Sequence, residues 1–154
     1  MAVTNRSVPV DTVLPQVVYQ DLGEAIVWLT RAFGFEEYYR YGEGPSGAQM
    51  LAGNAVIQVS QARDGKRSPR QLGFGTQSLT IFIEDVDGHC ARAKAAGAKI
   101  FEEPHETGYG EYQYGAEDLD GHPWLFSRHA KDRSPEEWGA VEKTAGRAGL
   151  ENPR

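Results

Sequence analysis

Val13-Leu14-Pro15-Gln16-Val17-Val18-Tyr19-Gln20-Asp21-Leu22-Gly23-Glu24-Ala25-Ile26 decides the fold, because the same order of signals returns at Ser78-Leu79-Thr80-Ile81-Phe82-Ile83-Glu84-Asp85-Val86. In the first copy, β-branched and aromatic residues favour a strand, and Pro15 sets its pairing near a strand start or an edge. A helix follows at once. Asp21 is a good N-cap, Glu24 stands three residues later as in a capping box, and Leu22, Ala25, Ile26, Leu29 and Phe33 recur at helical spacing. Gly34 then closes the helix as a left-handed cap. Short strands are expected over 37–41, 48–52 and 55–60. The last two are joined by Gly53-Asn54, a type II′ hairpin signal.

The hairpin fixes a register that can be read outward. If Ala52 pairs with Ala55, Met50 faces Ile57 on one side of the sheet and Gln49 faces Gln58 on the other. Ala55, Ile57 and Val59 then lie under the helix, and Val56, Gln58 and Ser60 point into a cavity. In the second copy Leu79, Ile81 and Ile83 take the helix side, while Ser78, Thr80 and Phe82 take the other. Asp85 or Asp87 caps a helix whose buried stripe is Val86, Cys90 and Ala93, with Gly97 closing it. Cys90 on that stripe reads as a small core residue rather than a nucleophile. A strand over 98–101, a loop through Pro104-His105-Glu106-Thr107-Gly108, a strand over 109–116, a turn at Asp118-Leu119-Asp120-Gly121 and a strand over 123–127 complete the copy. Aligning Leu14 with Ser78 also aligns Asp21 with Asp85 and brings Gly34 within one residue of Gly97.

The expected fold class is therefore α+β, two βαβββ modules forming a cup-shaped mixed sheet around one cavity. Residues 1–130 form one domain, with modules at about 13–61 and 75–129 and a linker over 62–74, followed by a C-terminal helix and tail over 131–154. Ser134, Pro135 and Glu137 mark the start of that helix, and Trp138 docks on the body or on a second subunit. The formal charge of −6 disfavours nucleic acid as a partner, since phosphate binding needs a clustered positive field. Arg63, Lys66, Arg67 and Arg70 are the one basic cluster, and they read as a solvated linker. A single cysteine permits no internal disulfide, and no segment has the about 20 apolar residues of a membrane span. Residues 1–15 carry no continuous apolar core, so no signal peptide is expected and the placement is cytoplasmic.

The strand into Gln20-Asp21-Leu22-Gly23-Glu24-Ala25, the Phe33-Gly34-Phe35 helix end, Ile83-Glu84-Asp85-Val86-Asp87, Ala95-Ala96-Gly97-Ala98 and Asp118-Leu119-Asp120-Gly121-His122-Pro123-Trp124 together resemble the vicinal oxygen chelate superfamily of glyoxalases, bleomycin-resistance proteins and extradiol dioxygenases. The resemblance spans residues 13–129, and the closing motif looks like the glyoxalase-like bleomycin-resistance branch. It implies a divalent metal held at four positions, which here are Leu14, Gln58, Ser78 and Leu125. Only Gln58 is a plausible donor, so no metal and no other cofactor is expected. The resemblance further implies a homodimer that binds a small organic molecule, an antibiotic or aromatic metabolite, and sequesters it. Gln16, Gln49, Gln58, Ser78 and Thr80 would supply directional hydrogen bonds, with Val18, Phe82, Tyr112 and Leu125 excluding water. Tyr112 and Tyr114 share one strand face, so both join the core or both line the cavity. The competing reading is catalysis, by a relocated metal using His105 or His122, or by acid–base chemistry from Glu84, Glu111 or His105. A structural or partner-binding module would draw only on Trp138.

Overall fold

Asp21 starts the first helix as its side chain dictates: Oδ1 accepts the Glu24 backbone N–H at 2.9 Å, and Gly34 ends the helix at φ 70°. In this computed structural model, which describes Ser7, residues 13–44 and residues 46–143, each copy builds its own four-stranded sheet. The first contains β1 (Gln16–Tyr19), β2 (Glu36–Tyr41), β3 (Gly47–Ala52) and β4 (Ala55–Gln61), in the order β1-β4-β3-β2, with α1 (Leu22–Phe33) between β1 and β2. A linker carries α2 (Pro69–Leu72). The second copy repeats the plan with β5 (Leu79–Phe82), α3 (Val86–Ala95), β6 (Lys99–Glu106), β7 (Glu111–Glu117) and β8 (Pro123–His129), ordered β5-β8-β7-β6. First and fourth strands run parallel in each copy, and the remaining pairs are antiparallel.

The hairpin register is the one the Gly53-Asn54 turn demands: Ala52 pairs with Ala55, Met50 with Ile57 and Gln49 with Gln58. Gly53 takes φ 60° and no non-glycine residue has positive φ among the described residues, as a type II′ turn requires. The helix-facing sides of both sheets enter one core, built from the α1 stripe, Val86, Cys90 and Ala93 of α3, and Ile57, Val59, Trp124 and Phe126. Phe33 crosses between copies, its ring 4.7 Å from Phe126 and 5.9 Å from Trp124. Burying such a ring is worth about 1.5–3 kcal/mol. Burial also raises the Cys90 thiol pKa, as expected of a packing residue.

Two polar devices lock the copies together. The Phe33 carbonyl, 3.0 Å from Nε2 of His89 on α3, can only accept, so Nε2 carries a proton, and in the neutral imidazole Nδ1 then accepts the Tyr114 O–H at 2.5 Å. Desolvation pushes the His89 pKa below the ordinary imidazole value, opposed by the Phe33 carbonyl. At the β7–β8 turn, the buried Asp118 carboxylate accepts four hydrogen bonds. Oδ2 takes the Tyr19 hydroxyl at 2.7 Å and the Trp124 indole at 3.0 Å, while Oδ1 takes the backbone N–H of Asp120 and His122 at 2.9 and 3.0 Å. Asp120 Oδ2 accepts Gln20 N–H at 2.6 Å, and His122 Nε2 donates to the Val18 carbonyl at 2.7 Å. The turn is thus stitched to β1. His122 is thereby a junction residue.

Two expectations need correction. Pro104, His105 and Glu106 lie inside β6 rather than in a loop, because β6 is an edge strand where a missing N–H is tolerated and two register shifts absorb the proline. In the linker, whose Arg63, Lys66, Arg67 and Arg70 are exposed, Arg63 and Lys66 exchange both backbone hydrogen bonds at 2.9 Å, and α2 follows. The C-terminal helix is only a 3₁₀ turn, Pro135–Trp138, closed by Gly139 at φ 80°, with Trp138 edge-on to Tyr109 at 6.2 Å. Its expected tail at 144–154 lies outside the described residues. No helix among the described residues is long and apolar enough to cross a membrane.

Candidate functional site

Strand alternation sends every second side chain away from the helices, so each sheet has a face with no helix upon it. On the first sheet that face carries Gln16 and Val18 of β1, Gln49 of β3, and Val56, Gln58 and Ser60 of β4. Gln16 is the register partner of Gln58, and Gln58 of Gln49, so three amides stand in one row across β1, β4 and β3. The row grades from an exposed Gln16 through a half-buried Gln58 to a Gln49 only 5 % exposed. Gln49 Nε2 donates to the Ser7 carbonyl at 2.8 Å, while its Oε1 is buried with no hydrogen-bond partner among the described residues. A buried acceptor left unmade costs about 1–3 kcal/mol.

Beside the row, Gly47 pairs with Ser60, and a Cβ at Gly47 would stand 2.4 Å from the Tyr41 ring. The missing side chain lets the phenol ring lie on the sheet. The second copy repeats this arrangement. Gly115, the register partner of Leu125, would place a Cβ 2.4 Å from the Phe101 ring. Each open face therefore carries an aromatic plate seated on a third-strand glycine, with Tyr41 and Phe101 42 % and 46 % exposed. Neither ring was among the expected site residues, and the signal that could have found them is a glycine inside each strand.

On the second sheet Thr80, Phe82 and Leu125 also take the open face; Phe82 is 57 % exposed. Ser78 precedes β5, exposed, at the junction with β1. Tyr112 does not join this face. It stands with Tyr114 on the helix side, its hydroxyl donating to Asp87 of α3 at 2.7 Å and Arg128 5.6 Å from its ring centre, so it is moved from the ligand set to the helix side. The polar residues of this face satisfy one another. Ser127 Oγ donates to Glu111 Oε2 at 3.2 Å, His129 Nδ1 is 3.0 Å from Glu111 Oε1, Gln113 Nε2 donates to Glu102 Oε1 at 3.0 Å, and His105 Nε2 is 3.2 Å from that same oxygen. Tyr109 closes the network on Gln113 Oε1 at 3.0 Å. Glu111 thus holds a hydroxyl and an imidazole on separate oxygens, while Glu84 is exposed in the bend after β5.

The donor set does not suit a catalytic divalent ion. Leu14, Gln58, Ser78 and Leu125 offer one amide, one hydroxyl and two hydrocarbon side chains, where such ions take imidazole, carboxylate or thiolate. Among the described residues no three His, Cys, Asp or Glu side chains gather in a metal-holding group. Two cavities line the junction of β1 with the second copy, of about 10 and 140 Å³. Both fall below the about 300–1,000 Å³ of a pocket that engulfs a drug-sized molecule.

Two βαβββ copies, a shared core and open sheet faces define a class, and the comparisons place the chain within it. A family model described as the Glyoxalase/Bleomycin resistance protein/Dioxygenase superfamily matches residues 10–126, and the chain belongs to that superfamily. Among solved structures, TioX from Micromonospora sp. ML1 is 28 % identical with a TM-score of 0.64, covering 80 % of this chain and 100 % of its own. A glyoxalase/bleomycin resistance protein/dioxygenase family enzyme from Burkholderia phytofirmans PsJN is 18 % identical with a TM-score of 0.60, covering 75 % and 96 %. A glyoxalase/bleomycin resistance protein/dioxygenase from Nocardioides is 14 % identical at 0.61, covering 89 % and 93 %. No curated protein matches the chain significantly.

Proposed function

We propose that this protein binds a small organic molecule on its open sheet faces without a metal, and sequesters it. The observation that carries the reading is the buried, unpartnered Oε1 of Gln49 at the head of the glutamine row. Such an acceptor is pre-set for an N–H or O–H of a ligand, and Gln58 and Gln16 extend the same capacity toward solvent. Tyr41, Phe101 and Phe82 add flat apolar surface, which suits an aromatic or conjugated body. The charge of −6 favours a neutral or cationic molecule. Because the junction cavities are small and the faces open, a second copy of the chain closes the site in this reading, an isologous arrangement.

The test is isothermal titration against a panel of flat cationic antibiotics, run beside a turnover assay with methylglyoxal hemithioacetal. Saturable binding with no turnover, lost in Gln49→Leu, is the expected result. Turnover that depends on a stoichiometric divalent ion, with no binding in its absence, would overturn the reading.

A further inference from the structure

The basic linker has a feature that the glutamine row does not use. A cavity of about 140 Å³ lies between β1 and the linker, lined by Gln16, Val18, Arg67, Leu72, Phe74 and Gln77 among others. Two linker cations differ in their surroundings. Arg70 lies 3.8 Å from Asp120, a carboxylate only 2 % exposed, whereas Arg67 has no ion pair among the described residues. Arg67 is the one permanently cationic residue of the lining, and it stands beside two amides and an apolar wall of Val18, Leu72 and Phe74.

That wall is open. Leu72 is 48 % and Phe74 64 % exposed, although both lie in a linker whose helix α2 is capped at Ser68, where the backbone N–H donates to Gln71 Oε1 at 2.9 Å. A planar guanidinium matches a carboxylate in a fork of two parallel hydrogen bonds, and a single cation balances a single negative charge better than a phosphate dianion. The volume is enough for an acid group and the start of a ring or chain, and falls short of a pocket that engulfs a drug-sized ligand.

We infer that the β1–linker cavity is a carboxylate subsite, taking an aryl or alkyl carboxylate with Arg67 as its counter-ion and Leu72 and Phe74 against its apolar part. Gln16 and Val18 belong both to this cavity and to the open face, so the subsite is contiguous with the glutamine row. If the proposed binding function holds, a ligand with a neutral or cationic body over the row and a carboxylate at this end engages both. The subsite itself does not depend on that reading.

The experiment is a nuclear magnetic resonance titration of the full chain with sodium benzoate, benzamide and benzylamine, following the backbone amides of residues 67–77 and the Arg67 side chain. Benzoate is expected to give saturable shifts there, with benzamide and benzylamine at least tenfold weaker. R67A weakens benzoate at least tenfold, and R63A leaves it within twofold. The subsite is refuted if benzoate produces no saturable shift, if R67A binds benzoate as the parent does, or if R63A weakens it as much as R67A, which would mean diffuse attraction to a basic segment. Failure of the glutamine row to bind any antibiotic would leave the benzoate result standing, which separates the two claims.

Discussion

Asp118→Ala is the perturbation that probes most sharply how the two copies are held in place. The carboxylate is 6 % exposed and accepts from two side chains buried as deeply, Tyr19 at 0 % and Trp124 at 1 %, and from two backbone N–H groups of its own turn. Alanine leaves the Tyr19 hydroxyl and the Trp124 indole without an acceptor in a place closed to water. Each orphaned donor costs about 1–3 kcal/mol, and the two turn amides add to that. Against this stands a gain: burial raises the Asp118 pKa, opposed by His122, Trp124 and Tyr19, so removing the charge relieves some desolvation. A net loss of about 3–5 kcal/mol is expected, which for a chain of this length lowers the melting temperature by about 10 °C. Asp118→Asn keeps one acceptor oxygen and lets Tyr19 reverse its hydroxyl, leaving only the indole orphaned, so it loses about 1–2 kcal/mol. Urea denaturation followed by circular dichroism measures both. If the alanine variant stays within about 1 kcal/mol of the parent, the turn is no anchor and the reasoning fails.

Other outcomes follow from the same contacts. Gly115→Ala places a Cβ where the Phe101 ring lies, and since that ring is 46 % exposed it can swing outward; stability should fall by no more than about 1 kcal/mol while ligand affinity drops several-fold by titration calorimetry. Gln49→Met removes the orphaned acceptor together with the bond to Ser7, so denaturation midpoints should change little, within about 1 kcal/mol, while ligand binding weakens at least tenfold. A destabilised Gln49→Met with intact binding would count against the row. His89 has its folded-state pKa lowered by burial, so the unfolded chain binds the extra proton first and stability is lost as pH falls through the unfolded value of about 6.5. Stability measured from pH 7.5 to 5.0 should therefore decline less steeply in His89→Gln than in the parent, and parallel slopes would refute the assignment.

Where local chemistry decided the outcome, the sequence was transparent. The Asp21 and Gly34 caps, the α3 stripe, the alternation of β5 and the Gly53-Asn54 register depend on neighbours within a few residues, and the register alone put Gln49 opposite Gln58. The extension of the row to Gln16 needed the parallel pairing of β1 with β4, a contact between segments about 40 residues apart that no turn announces. Tyr112 shows the opposite limit. Its strand face was correctly shared with Tyr114, but which side held the helix could be settled only once α3 supplied Asp87 as its partner. Tyr41 and Phe101 escaped notice because the informative residue was the glycine beneath each ring rather than the ring itself. Pro104 misled because a proline ends a central strand but not an edge one.

The central claim, recognition at the glutamine row without a metal, is tested most directly by following the side-chain amide resonances of Gln49 and Gln58 in chelator-treated, metal-depleted protein as a flat cationic antibiotic is added. Saturable shifts of both amides, unchanged in midpoint when Zn or Ni is restored, are the predicted result. Amides that stay still until a stoichiometric metal is supplied would contradict it.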